Sequence, residues 1–245
     1  MDEIRIDEQN EFTLSIETAV RGGSISLLKG VSEVDGWIGT REISKSEDIL
    51  EELKNILERN NLEKKKIKKI VVSRGPGSYT GARIGMAVGF GLKKALNCEL
   101  VAVSALEAML SADKRESVNS VEEIITAVPI GRNQICQQSF KSHNRKIDGS
   151  KAGPQISTIE DFLNSNSKSE LQFKKIIILH RELYLDFQTK YENRLTENNI
   201  LIDAGENIAV LNGMLGVGRD GKADVSSPIY ARESVFSQVL KNESR

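Results

Sequence analysis

The sequence predicts an α/β protein built of two units. Strand-like and helix-like patterns alternate from Phe12 to Met109. A polar run, Ser111–Ser120, interrupts them, and a second mixed set of apolar strands and amphipathic helices follows. Of 245 residues, 39% are hydrophobic and 28% charged, with a mean hydropathy of -0.32. That is enough apolar material for one large core or two small ones.

The first unit opens with "FTLSIETAV" (Phe12–Val20) and "GSISLLKG" (Gly23–Gly30), two strands joined by a glycine turn short enough for a hairpin. "SEDILEELKNILERNN" then places Ile49, Leu50, Leu53, Ile56 and Leu57 on one face at helical spacing. Ser46 suits its N-cap, and Glu47 and Asp48 lie in the first turn, where carboxylates favour the helix dipole. "IKKIVVS" is a third strand. A loop with Gly75, Pro76 and Gly77 leads to a second helix, capped by Ser78 or Thr80, with an apolar stripe of Ile84, Val88 and Leu92. Gly81, Gly85 and Gly89 recur along it. Each interior glycine costs a helix about 1 kcal/mol relative to alanine. The run therefore predicts a bare groove where another backbone lies close, either the chain's own sheet or a helix of another subunit.

"CELVAVSALEAML" reads as a short buried strand, Leu100–Val103, entering a helix capped by Ser104. In the second unit "EEIITAVPI", "QICQQSF" and "KKIIILH" are strands, with an acidic helix around "STIEDFLNS". "NNILID" adds a strand, and "AGENIAVLNGML" a helix with Ile208, Leu211 and Leu215 on one side.

Several function classes are disfavoured. No apolar run approaches the roughly 20 residues of a membrane span, and Met1–Glu11 is acidic and polar, unlike a secretory leader. Cys98 and Cys136 are too few for a disulfide framework or a thiolate zinc site. A cytoplasmic location is expected. The net charge of -1 argues against a chain whose main task is gripping phosphate backbones. The local exception is "EKKKIKKI", with Lys64, Lys65, Lys66, Lys68 and Lys69, which reads first as a solvated strand entry, with a weak RNA contact as the alternative.

The glycine loop lacks the lysine of a P-loop, since the sixth position from Gly75 is Thr80 and no lysine follows. It misses the dinucleotide fingerprint because Gly81 falls one residue late after Gly75 and Gly77. What stays is a turn whose free amides could meet an anion, or a turn that is merely tight. His143 and His180 are the only histidines and lie in separate elements, so no helical two-histidine metal motif exists. No G-x-S-x-G elbow surrounds any serine, and a serine or cysteine nucleophile would need one of those two histidines as base. No catalytic residue, metal site or cofactor of the chain's own is expected.

One long stretch is more specific. "SRGPGSYTGARIGMAVGFGLKKALNCELVAVSALEAM", Ser73–Met109, resembles the signature of the bacterial TsaB (YeaZ) proteins. That signature runs approximately G-P-G-S-F/Y-T-G-L-R-I-G, then a helix, then a strand ending in V-S-S-L-E-A. "LSIETA" (Leu14–Ala19) resembles the family's opening strand with its acid-Thr turn, and "SEDIL" the start of its first helix. "SPIYAR" (Ser227–Arg232) resembles its closing P-x-Y-x-R. The N-terminal half matches well and Glu116–Gly205 only in outline. Three places depart from the pattern: Lys45 where histidine is frequent, Pro129 and Gly131 in place of the acid and first arginine of a D-A-R segment, and Glu17 in place of aspartate.

The resemblance implies the actin-like ATPase fold, of the ASKHA, ribonuclease H-like class. A first lobe would span 1–110, a second α/β lobe 111–205, and a C-terminal helix and tail, 206–245, would pack back on both. It implies a non-catalytic accessory subunit that binds a TsaD-like catalytic subunit. The pair would be required for threonylcarbamoyl transfer to the adenosine beside the anticodon of ANN-decoding tRNA. A TsaE-like ATPase would join it, tRNA would be met indirectly through the complex, and any ATP would sit at the complex junction; no membrane is involved.

By the same resemblance the helices Glu47–Arg59 and Thr80–Leu96 form the partner surface. Its residues would be Ile49, Leu50, Leu53, Ile56, Leu57, Gly81, Ile84, Gly85, Val88 and Gly89, with a partner helix seated in the glycine groove. That surface would also serve a homodimer when the chain is alone. Gly75, Pro76, Gly77, Ser78, Tyr79 and Thr80 form the signature loop, and Glu17 and Thr18 a vestigial phosphate turn. "GMLGVGRDG", Gly213–Gly221, is the nearest candidate for an adenosine loop and reads as a flexible connector. The alternative is a stand-alone kinase or ATPase of the same fold, acting on a small molecule with Glu17 and Thr18 near the phosphates. A peptidase, with two histidines and no elbow, is the least supported reading.

Overall fold

Alternation within the first strand decides the layering. In β1 (Phe12–Glu17) Leu14 and Ile16 face one side and Thr13, Ser15 and Glu17 the other, yet all five are buried, so both faces must be covered. The computed structural model describes residues 11–20, 22–39, 46–114, 121–131, 133–143, 146–150, 152–167, 174–195, 198–219 and 229. In it β1 pairs antiparallel with β2 (Ser24–Lys29), and β2 with β3 (Ser32–Ile38). On its other edge β1 runs parallel to β4 (Ile67–Ser73), which runs parallel to β5 (Glu99–Val103). The first sheet thus has the order β3-β2-β1-β4-β5.

The second sheet repeats this plan. β6 (Val121–Pro129), β7 (Gln134–His143) and β8 (Lys146–Ser150) form its antiparallel half, and β9 (Gln155–Thr158) also pairs with β7. β10 (Lys174–Leu179) and β11 (Asn199–Asp203) form the parallel half, giving the order β11-β10-β6-β7-β8.

Helices fill three layers around the two sheets. α1 (Ser46–Arg59) and α2 (Tyr79–Leu96) cover the outer face of the first sheet, over Leu14, Ile16, Ile25, Leu27, Ile70 and Val72. Between the sheets lie α3 (Ala105–Ala108) and α6 (Ile208–Val217), packed with Val20, Ile124, Val128, Cys136, Ile176 and Ile178. α4 (Ile159–Asn166) and α5 (Arg181–Lys190) cover the outer face of the second sheet. Caps fall where the sequence has hydroxyls: Ser78 Oγ accepts from Gly81 N at 3.1 Å to open α2, and Thr158 Oγ1 accepts from Asp161 N at 3.0 Å to open α4.

The two mixed sheets with flanking helices are those of the actin-like ATPase fold. Four elements were not foreseen: β3, β8, β9 and α5. β3 is an outer strand with Ser32, Glu33 and Val34 exposed and Asp35-Gly36 at its middle, so no alternation marks it. It is fixed from outside itself, by Arg59 of α1, whose Nε and Nη2 donate to the Asp35 carboxylate at 2.6 and 2.9 Å. In α5 only Leu183 and Phe187 are buried, too few to make a stripe. One expectation is corrected outright. Gly213–Val217 is no connector but the second half of α6, where Gly213 rests on Leu28 and Ser15 and Gly216 on Val71. Among the described residues no helix is long and apolar enough to cross a membrane.

Candidate partner surface and the turn of the first lobe

β1 runs into a tight turn that the loop after β4 covers. Glu17, 1% exposed, folds its carboxylate back onto that turn. Its Oε1 accepts from the Ala19 and Val20 amides at 2.5 and 3.0 Å, and its Oε2 from Asn212 Nδ2 at 3.1 Å. The Ser73 hydroxyl hydrogen-bonds the same group; burial still outweighs these contacts and raises its pKa above the ordinary 4.5. The amides a phosphate would use are thus held by the chain's own acid. Thr18 is engaged as well, its Oγ1 donating to the Gly81 carbonyl at 2.7 Å. The two residues brace the turn against α2.

The signature loop completes that brace. Ser78 N donates to Ala19 O at 2.7 Å, Gly75 N to Ser73 Oγ at 3.0 Å, and Ala105 N to Gly75 O at 2.9 Å. Gly75 has φ +87°, and a side chain at Gly77 would strike the Ala19 carbonyl, so both glycines answer a backbone requirement. Pro76 is buried between them. Tyr79 and Thr80 are exposed at the start of α2, with the Arg83 guanidinium 4.0 Å from the centre of the Tyr79 ring. Ile229 N reaches the Arg74 carbonyl at 2.6 Å; the rest of "SPIYAR" lies outside the described residues, as do Lys45 and the His143 side chain. Pro129 ends β6 and Gly131 stands in the turn to β7. His180 is buried, its Nδ1 accepting from Glu182 N at 3.3 Å at the start of α5. Among the described residues no three His, Cys, Asp or Glu side chains gather as a metal site.

The glycine groove of α2 faces inward, which corrects its expected use as a seat for a partner helix. A Cβ at Gly81 would strike the Thr18 carbonyl, one at Gly85 the Thr18 hydroxyl, and one at Gly89 the Val72 side chain, with Leu100 Cδ1 3.1 Å away. What lies close is the chain's own first lobe: the Thr18 backbone, in the turn after β1, at Gly81, and the side chains of Thr18, Val72 and Leu100 further along. Ile49, Leu53 and Ile56 are likewise committed, at 1%, 4% and 0% exposure in the core beneath α1. Ile84 and Val88 are half-buried.

What remains for a partner is the outer side. Leu50 is 54% exposed and Phe90 47% exposed. Between α1 and the end of α2 runs an open groove of about 600 Å³, lined by Leu50, Leu53, Leu57, Leu62 and Leu92, with Lys54 and Glu58 among its polar edge. On α2, Arg83, Ala87, Phe90, Gly91 and Lys94 are exposed together, and a Cβ at Gly91 would meet no described residue within 4 Å. Phe90, Ala87 and Gly91 escaped the sequence reading because the four-residue glycine period drew attention to the wrong face. The position opposite Gly81-Gly85-Gly89 on a helical wheel would have located them.

Known proteins now bear on this geometry. Residues 42–233 match the family described as TsaD, tRNA N6-adenosine threonylcarbamoyltransferase. Curated relatives carry the name tRNA threonylcarbamoyladenosine biosynthesis protein TsaB. The Haemophilus influenzae protein is 27% identical over 128 residues, 52% of each chain. The Bacillus subtilis protein is 31% identical over 114 residues, 46% of this chain and 49% of its own. The chain belongs to this family, on its TsaB (YeaZ) branch. The aligned part spans about half the length of those relatives. Among solved structures, a Pseudomonas aeruginosa protein described as similar to peptidase YEAZ superposes with a TM-score of 0.60 at 16% identity, over 91% of this chain and 100% of that one. An Arthrobacter polyphosphate/ATP-glucomannokinase superposes with 0.54 at 10% identity, over 85% and 98%. Both likenesses concern the fold.

Proposed function

We propose that this TsaB-family chain is an accessory subunit in tRNA threonylcarbamoyladenosine biosynthesis. It binds a TsaD-like catalytic subunit in the cytoplasm and is required for threonylcarbamoyl transfer to the adenosine beside the anticodon. The observation that carries the reading is the apolar outer side of α1 and α2, with Leu50 and Phe90 exposed beside a leucine-lined groove. A patch of that kind on a folded chain marks a protein–protein contact. The chain's effect is thermodynamic: it favours the partner's competent state to the extent that it binds that state more tightly. A TsaE-like ATPase and any ATP join at the junction of the pair.

The internal engagement of Glu17 and Thr18 speaks against the kinase alternative, since both side chains are spent on the turn itself. Reconstitution tests the assignment. Threonylcarbamoyl transfer to tRNA by the TsaD-like subunit is expected only when this chain is added. ATP-dependent phosphoryl transfer by the purified chain alone would instead favour a kinase.

A further inference from the structure

One end of the first lobe is far more basic than the chain as a whole. α1 and α2 both finish there, and β4 and β5 both begin there, with Lys69 opposite Glu99 in the pairing. The end gathers Lys64, Lys65, Lys66, Lys68 and Lys69 before and in β4, and Lys93 and Lys94 in the last turn of α2. Lys64 and Leu92 line the same groove, which brings the two runs together. Some of these charges are already used. Lys65 pairs with Glu63 at 2.7 Å. Lys69 is turned inward, its Nζ donating to the carbonyls of Gly216, Val217 and Arg219 at 3.3, 3.1 and 3.0 Å, where it closes the end of α6. The other five, Lys64, Lys66, Lys68, Lys93 and Lys94, form no ion pair among the described residues.

We propose that this end of the first lobe is an RNA contact surface on which Lys64, Lys66, Lys68, Lys93 and Lys94 hold backbone phosphates. The chain carries a net charge of -1, so the concentration is local rather than a general basicity. The five are lysines, mobile point charges that suit phosphate oxygens and do not select a base. Their place also fits. They stand at the end of α1 and α2, where Lys64 lines the edge of the groove assigned to the catalytic partner, so RNA bound there would continue onto that partner. The choice of RNA as the polyanion rests on the tRNA-modifying role proposed above; the geometry does not.

The test uses the full-length chain and a fluorescently labelled tRNA transcript, with anisotropy read between 50 and 200 mM salt. Binding that weakens steeply with salt is expected. In Lys64→Glu/Lys66→Glu/Lys68→Glu it should weaken about tenfold or more, with the log–log salt slope reduced by about 3, one for each phosphate no longer neutralised. Lys93→Glu/Lys94→Glu should weaken it to a smaller degree. A control with Lys141 and Lys190 reversed, both exposed on β7 and α5 of the second lobe, should bind like wild type. These side chains are exposed, Lys66 alone being half-buried, and thermal melting should show that the variants stay folded. Equal binding by the triple variant, the control and wild type would overturn the proposal. So would loss of co-purification with the TsaD-like subunit while tRNA binding persists, because the patch would then belong to a protein contact. Failure of the accessory role itself would appear separately, as wild type that never joins the catalytic subunit.

Discussion

On the inner side of α2, Gly81, Gly85 and Gly89 let the helix sink onto Thr18, Val72 and Leu100. On its outer side Ala87 and Gly91 are also small, yet no described residue lies against Gly91, and Phe90 stands 47% exposed between them. Small residues therefore differ on the two sides: the inner ones seat the helix on the first lobe, and the outer ones stay uncovered by any described residue. Periodicity alone finds both. Only the three-dimensional position of the sheet tells them apart.

The comparison is broken most severely from the inside. Gly85→Trp should destabilise the chain by about 3 kcal/mol or more, because the new side chain overpacks the contact with Thr18. A denaturant midpoint measures it, and any loss of partner binding would follow from loss of folding. A smaller effect is expected at Lys69, whose ammonium satisfies the end carbonyls of α6 from the sheet beneath. Lys69→Met should cost about 2 kcal/mol, since the charged hydrogen bonds go and the carbonyls lose their donor.

Glu17 supplies the next step down, and its sign depends on pH. Its folded pKa lies above the unfolded 4.5, so its contribution is fully present below 4.5 and is lost as pH rises through the folded value. Glu17→Gln keeps a neutral group at every pH, and the amide of Asn212, whose Oδ1 has no hydrogen-bond partner among the described residues, can turn to accept from it. The variant should match wild type in acid and exceed it by about 1 kcal/mol at neutral pH. Paired thermal melts across pH 4 to 8 would show the difference opening. Asp35, pulled down by Arg59, has the opposite sign, with stability lost as pH falls, but it is common to both proteins and cancels.

Much of the fold was legible from local pattern. The β1–β2 hairpin, α1, β4, the Ser78 cap and the buried β5 follow from alternation, helical spacing and capping hydroxyls. β3 was not, because an edge strand held by Arg59 and by the packing of Trp37 carries little alternation of its own. The site was half legible. The α1 and α2 segments were readable, but Ile49, Leu53 and Ile56 share a helix face with Leu57, and no one-dimensional pattern separates the residue that ends in the core from the one at its margin. The brace around Glu17 was hidden for a different reason, since Asn212 lies 195 residues away in an otherwise apolar helix.

The most direct test of the central claim is co-purification with the TsaD-like subunit, comparing wild type with Leu50→Asp/Phe90→Asp. Both positions are exposed, so the variant should fold within about 0.5 kcal/mol of wild type. Loss of the pair by this folded variant is the expected result. Retention of the pair at wild-type affinity would contradict the assignment of the outer faces of α1 and α2 to the partner.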